Sequence, residues 1–244
     1  MSDGTFLYLV RHEGQSSVRK FLKTKWFWVY AGAVLLLAAA ALTVWGGAAQ
    51  FQARYLFSFT FILPYFTAML AFRTLLGEWK NGTVGWWITL PYPRVRLLSA
   101  KLVAAFLQAL ALYAACFAFI TLLILYNAGI HGLGASSLSD LWVTESIFIV
   151  MLLGIAPFML TLGLLLGAVT QSNWSPATPL LWMVFGLSGN ALSWLTGAVF
   201  SQQPGTAAFD AVPRWGYAML PVYWAAAALC FLGAVRVLSR HLKF

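Results

Sequence analysis

Apolar residues in this 244-residue chain gather into six long runs separated by short polar segments. The runs cover Trp26–Ala48, Tyr55–Leu76, Leu102–Tyr126, Glu145–Val169, Ala177–Phe200 and Gly216–Leu238. Each exceeds the about 20 helical residues that cross a hydrocarbon core about 30 Å thick. The pattern predicts an all-α membrane protein with six transmembrane helices. The connections leave no room for a soluble domain, so residues 1–244 read as one transmembrane domain. Pro64 and Pro157 fall inside runs, where neighbouring helices can satisfy the freed carbonyls.

A different periodicity precedes the first run. Phe6, Leu7, Val10, Val18, Phe21 and Leu22 share one helical face, while Arg11, His12, Gln15, Arg19 and Lys23 fall opposite. Residues 1–25 therefore read as an amphipathic helix lying in the membrane interface. The run from Trp26 is about 22 residues long, beyond the 7–15 residues of a signal-peptide core, and is a true span.

Composition supports this reading. The chain is 61% hydrophobic and only 9% charged, against about 25% charged in soluble domains. The net charge of +9 does not point to nucleic acid, because the basic residues cluster at the ends of spans. Arg11, Arg19, Lys20, Lys23, Lys25, Arg73, Lys80, Arg94, Arg96, Lys101, Arg236, Arg240 and Lys243 fall on one side, and Arg54 and Arg214 on the other. The positive-inside rule then places both termini in the cytoplasm. Trp26, Trp28, Trp142, Trp174 and Trp215 sit near span boundaries as interface anchors do. Cys116 and Cys230 lie within spans and read as packing residues, with no metal-binding spacing.

Several chemistries are excluded or weakened. No G-x-x-x-x-G-K-[ST] run is present, so this chain has no P-loop. No charged residue falls in mid-span. Arg73 and Glu145 lie near span ends, where they are expected to snorkel, which argues against an ion-coupled transporter. Gly186-Leu187-Ser188-Gly189 offers a serine for an intramembrane hydrolase, but His12, His131 and His241 lie at or beyond span ends and cannot serve as its base. The same span aligns Gly186, Gly189, Asn190, Ser193 and Gly197 on one face, suited to close helix approach, a subunit interface or a transport path. Thr60, Pro64, Thr67 and Ala71 form a related stripe in the second span, most simply read as packing.

The connection between spans two and three is long and aromatic. Gly82 can end the helix that carries Glu78. Trp86, Trp87, Ile88 and Leu90 then form a short apolar segment stopped by Pro91 and Pro93. Five basic residues surround it. The order Glu78, Gly82-Thr83, Leu90-Pro91, Arg94 and Lys101 resembles the signature of type-2 ABC transporter permeases. The motif covers about 25 residues. The amphipathic helix, the six spans and the cytoplasmic termini extend the resemblance to most of the chain. Pro93 departs from the pattern, which usually has a small residue there.

The resemblance implies a subunit that is not itself an enzyme. It would pair with a second permease, identical or related, and with a dimer of ABC ATP-binding subunits. ATP and Mg would be held by the partner, with no cofactor in this chain. Glu78, Gly82, Thr83, Pro91, Arg94 and Lys101 would shape a coupling helix, with Trp86 and Trp87 as its apolar contacts. The expected setting is the bacterial cytoplasmic membrane, and residues 201–215 would re-enter the outer leaflet. With no charge at bilayer depth, the path should suit an amphipathic or lipid-like cargo; the resemblance adds peptide antibiotics, and lipid-linked sugars, other lipids and Na⁺ stay open. The alternatives are an intramembrane serine hydrolase using Ser188, or a membrane scaffold or sensor that transports nothing.

Overall fold

A computed structural model of the protein describes residues 10, 25–46, 60–89, 91–132, 135–191 and 214–240. Among these the regular structure is helical. Helix α1 covers Lys25–Trp45, α2 Leu63–Lys80, the short α3 Val84–Thr89, α4 Arg94–His131, α5 Ala135–Thr170, α6 Thr178–Ala191 and α7 Arg214–Arg240. Four stretches are long and apolar enough to cross a membrane: Thr60–Lys80, Arg94–His131, Leu138–Thr170 and Tyr217–Arg240. In α1 the apolar part described is Gly32–Val44, and the fifth expected span is described only as far as Ala191. The segment expected to re-enter the membrane and most of the amphipathic segment lie outside the described residues. Val10 is the exception. It is helical and packs with Ala100 and Ala104 of α4, as expected of the apolar face.

Helix boundaries differ from the apolar runs for physical reasons. α4 begins at Arg94, directly after extended Pro93, and ends where Gly132 turns left-handed. Its basic first turn continues the helix beyond the apolar run, because arginine and lysine are good helix formers. At 38 residues it is about 57 Å long, well beyond a hydrocarbon core. α5 likewise starts before Glu145. Pro64 is not a mid-span break, because it lies in the first turn of α2, where a missing N–H costs no helical bond.

α5 is the centre of the bundle. About 67% of its apolar window is buried, against 11% for α7. Its buried side chains divide into two clusters. One gathers Phe148, Met151, Leu152, Ile155 and Met159 with Ile120, Leu123 and Ile124 of α4. The other joins Leu160, Leu164 and Ala168 to Ala71 and Leu75 of α2, Leu97 and Leu98 of α4, and Ala234 and Leu238 of α7. The closest approach is at Gly163, where a Cβ would collide with the backbone carbonyl of Ala68. Gly163 and Gly167 share one α5 face, and small residues at this spacing let helix backbones meet. On the other side of α5, the Trp224 indole of α7 donates to the Gly154 carbonyl at 2.8 Å.

Candidate functional site in the connection between α2 and α4

α2 continues past its apolar run to Lys80, which carries Glu78 to the end of the bundle where α4 begins. Lys101 reaches the same point from two turns inside α4. Its Nζ donates to Glu78 Oε1 at 2.7 Å, with Lys101 1% and the Glu78 side chain 16% exposed. The Thr83 hydroxyl donates to the other carboxylate oxygen. One carboxylate thereby joins the end of α2, the start of α3 and the body of α4, 23 residues away. Charge-assisted bonds of this kind are stronger than neutral ones. They sit beside the apolar cluster of Leu75, Leu97 and Leu98, with Trp79 and Tyr92 packed against it.

The turn between α2 and α3 follows from its residues. The Asn81, Gly82 and Thr83 amides donate to the carbonyls of Gly77, Trp79 and Glu78 at 2.9, 3.1 and 2.9 Å. Gly82 has φ +69° and open space around its missing Cβ. Its backbone angle, not crowding, is what calls for glycine. α3 then runs six residues. The bend at Pro91–Pro93 follows, and the Arg96 guanidinium lies 5.6 Å from the Tyr92 ring centroid.

Glu78, Thr83 and Lys101, separate in sequence, are therefore in direct contact. Gly82 makes the turn, and Pro91 lies exposed at the second bend. Arg94 heads α4, with Nη1 buried and unpartnered among the described residues. Trp86 and Trp87 lie on α3, but their side chains fall outside the described residues.

The second candidate face divides. Thr60 and Thr67 are buried within the chain, and Thr67 donates to the Leu63 carbonyl of its own helix at 2.8 Å. Gly186 is exposed, with nothing within 4 Å of where its Cβ would be. Gly189 and Asn190 are helical, but their surroundings are outside the described residues, as are Ser193 and Gly197 entirely. Ser188 donates to the Phe185 carbonyl and approaches the Met159 sulfur at 3.9 Å. Among the described residues it meets no base. α6 packs on α2 through aromatic edges, Trp182 on Phe72 at 5.8 Å and Phe185 on Tyr65 at 5.3 Å.

Sequence reasoning missed two features. The first is the Gly163-x-x-x-Gly167 contact, whose spacing was visible. The second is Glu145. It was expected to snorkel, yet it is 0% exposed, and its Oε1 has no hydrogen-bond partner among the described residues. Its position near a span end was legible. That α4 covers it was not.

A family model described as ABC-2 family transporter protein matches residues 36–204, more than half of the chain. A comparison with curated proteins gives no significant match. The matched stretch contains α2 to α6 whole, and with them the Glu78–Thr83–Lys101 contact. This helical, multi-pass membrane chain belongs to the ABC-2 family of transporter proteins.

Proposed function

We propose that this chain is the membrane subunit of an ATP-driven exporter of an amphipathic cargo, with α3 as the element that receives motion from a separate ATPase. The observation that carries this reading is the clamp made by Glu78, Thr83 and Lys101. A six-residue helix on a loose loop would absorb a push. A short helix whose leading end is tied to both flanking long helices passes it on. The sequence has no P-loop, so the engine is another chain, an ABC ATP-binding dimer that holds ATP and Mg. Both termini and α3 face the cytoplasm, as the distribution of basic residues favours. Six helices enclose little space by themselves, and a second permease completes the path. The unfilled surface at Gly186 fits a subunit boundary.

The reading is tested by copurifying the chain with its ATPase and measuring cargo-stimulated ATP hydrolysis in liposomes. Glu78→Lys, and separately the pair Trp86→Ala and Trp87→Ala, should abolish stimulation while the complex still assembles. Full stimulation and transport in these variants would remove α3 from the coupling role. A complex that hydrolyses ATP and never moves cargo would favour the sensor instead.

A further inference from the structure

The bundle end far from α3 carries a charge problem that coupling does not explain. Glu145 projects from α5 toward Thr121 of α4, whose hydroxyl lies 3.4 Å from Oε2, longer than a good O–H···O bond. Oε1 has no partner among the described residues, and no ion pair there reaches the carboxyl. Apart from Thr121 and the nearby Cys116 thiol of α4, its described surroundings are apolar. Phe148, one turn along α5, packs its ring against Phe61, in the turn just before α2, at 5.2 Å, and Ile120, Leu123 and Ile124 line the facing side of α4. Thr121 stands about 30 Å along α4 from Lys101, one hydrocarbon thickness. Further along α4, buried Asn127 also has an amide oxygen without a partner among the described residues. Both orphaned atoms at this end are acceptors, so among the described residues it is short of donors, the His131 ring beside Asn127 being engaged with the Leu42 carbonyl at 3.1 Å.

An acid held in this way weakens a bundle unless something compensates it, because burial without a counter-charge costs several kcal/mol. Ionisable residues in membrane bundles mark substrate and ion routes. We propose that Glu145 is the binding point for an organic cationic group, an amine or quaternary ammonium, carried by the transported molecule at the outer end of the path. The proposal rests on the transporter reading above. One carboxylate beside one hydroxyl offers too few oxygens for Ca²⁺ or Mg²⁺, and no group of three or more His, Cys, Asp or Glu assembles a metal site among the described residues. A single cationic headgroup needs only one carboxylate. Glu145 is shut from solvent in this arrangement, so the cation reaches it when the outer end opens. Its acyl or peptide body is then held by the phenylalanines and isoleucines around it.

The test uses the full chain in nanodiscs of zwitterionic phospholipid, treated with the membrane-soluble dicyclohexylcarbodiimide. The carboxyl oxygen adds to the reagent's central carbon and the acid proton moves to a reagent nitrogen. Rearrangement leaves a stable N-acylurea that peptide mass spectrometry locates. An adduct is expected at Glu145 and lost in Glu145→Gln. Dodecyltrimethylammonium, which cannot itself react with the activated acid, should suppress the adduct. Dodecanol, with the same chain and no charge, should leave it. Equal protection by dodecanol overturns the proposal, since chain filling would then account for the effect. Equal protection by sodium ion also overturns it, in favour of an inorganic cation. An unlabelled Glu145 beside a labelled Asp140 shows that the carboxyl is never reached and overturns it as well. No ATPase is present, so failure here leaves the coupling role of α3 to its own experiment.

Discussion

Glu78 and Glu145 are acids set into the same bundle, one at each end of the membrane-crossing region. Glu78 has Lys101 at 2.7 Å and the Thr83 hydroxyl on its second oxygen. Glu145 has one long contact with Thr121 and an oxygen with no partner among the described residues. The first acid is spent on structure, joining the ends of two long helices to a short one. The second has no counter-charge among the described residues, which is what motivates the proposal that its partner arrives from outside. Burial alone does not reveal a carboxylate's task. What matters is whether its counter-charge is built into the chain.

That contrast can be broken in order of expected effect. Lys101→Ala strips the ammonium from Glu78, and unfolding of the purified chain should show a loss of about 3 kcal/mol, toward the low end for broken buried pairs because Glu78 retains some solvent contact. A loss too small to measure would mean that the clamp does not hold α3. Gly163→Val forces α5 away from the Ala68 carbonyl, with an expected cost of about 1–3 kcal/mol from overpacking. If its melting temperature stays at the wild-type value, the α2–α5 contact is not the tight one. Thr83→Val removes one neutral donor from the carboxylate and should cost about 1 kcal/mol. It should also lower ATPase stimulation less than Glu78→Lys does. Glu145→Gln should be the mildest, leaving thermal stability unchanged or raised, because it replaces a buried acid that has no counter-charge among the described residues with a neutral side chain of the same shape. Glu78→Gln should move in the opposite direction, because it removes the negative charge facing the buried Lys101 ammonium. Destabilisation of both to the same degree would erase the difference between the two acids.

Much of the α3 connection was legible in advance. Glu78, Gly82-Thr83 and the Pro91–Pro93 step carry local instructions: a helix stop needing a positive φ, a short helix, and a second stop. A backbone angle at Gly82 or a missing N–H at a proline acts within a few residues, so the chain order displays it. The far end was less legible. Glu145 sits near the edge of an apolar run, where a long side chain usually reaches water. Whether it can depends on where α5 begins and on which α4 residues face it. α5 starts at Ala135, well before Glu145, and Thr121, Ile120 and Ile124, all inside the apolar run of α4, close over the carboxyl, a pairing that no single run displays.

The amino-acid order alone determined that this is a helical membrane chain, where its apolar runs lie, and that the α2–α4 connection contains a short helix between two breaks. These follow from composition and local periodicity, which need no knowledge of neighbours. Only the tertiary structure decided which charges meet. Lys101 and Glu78 are joined, Ser188 is turned back on its own helix, and Glu145 is closed in beside Thr121. Those outcomes depend on the register of α4 against α2 and α5. Register is set by how side chains pack across helices, as where Gly163 admits Ala68, and no single helix's sequence contains it.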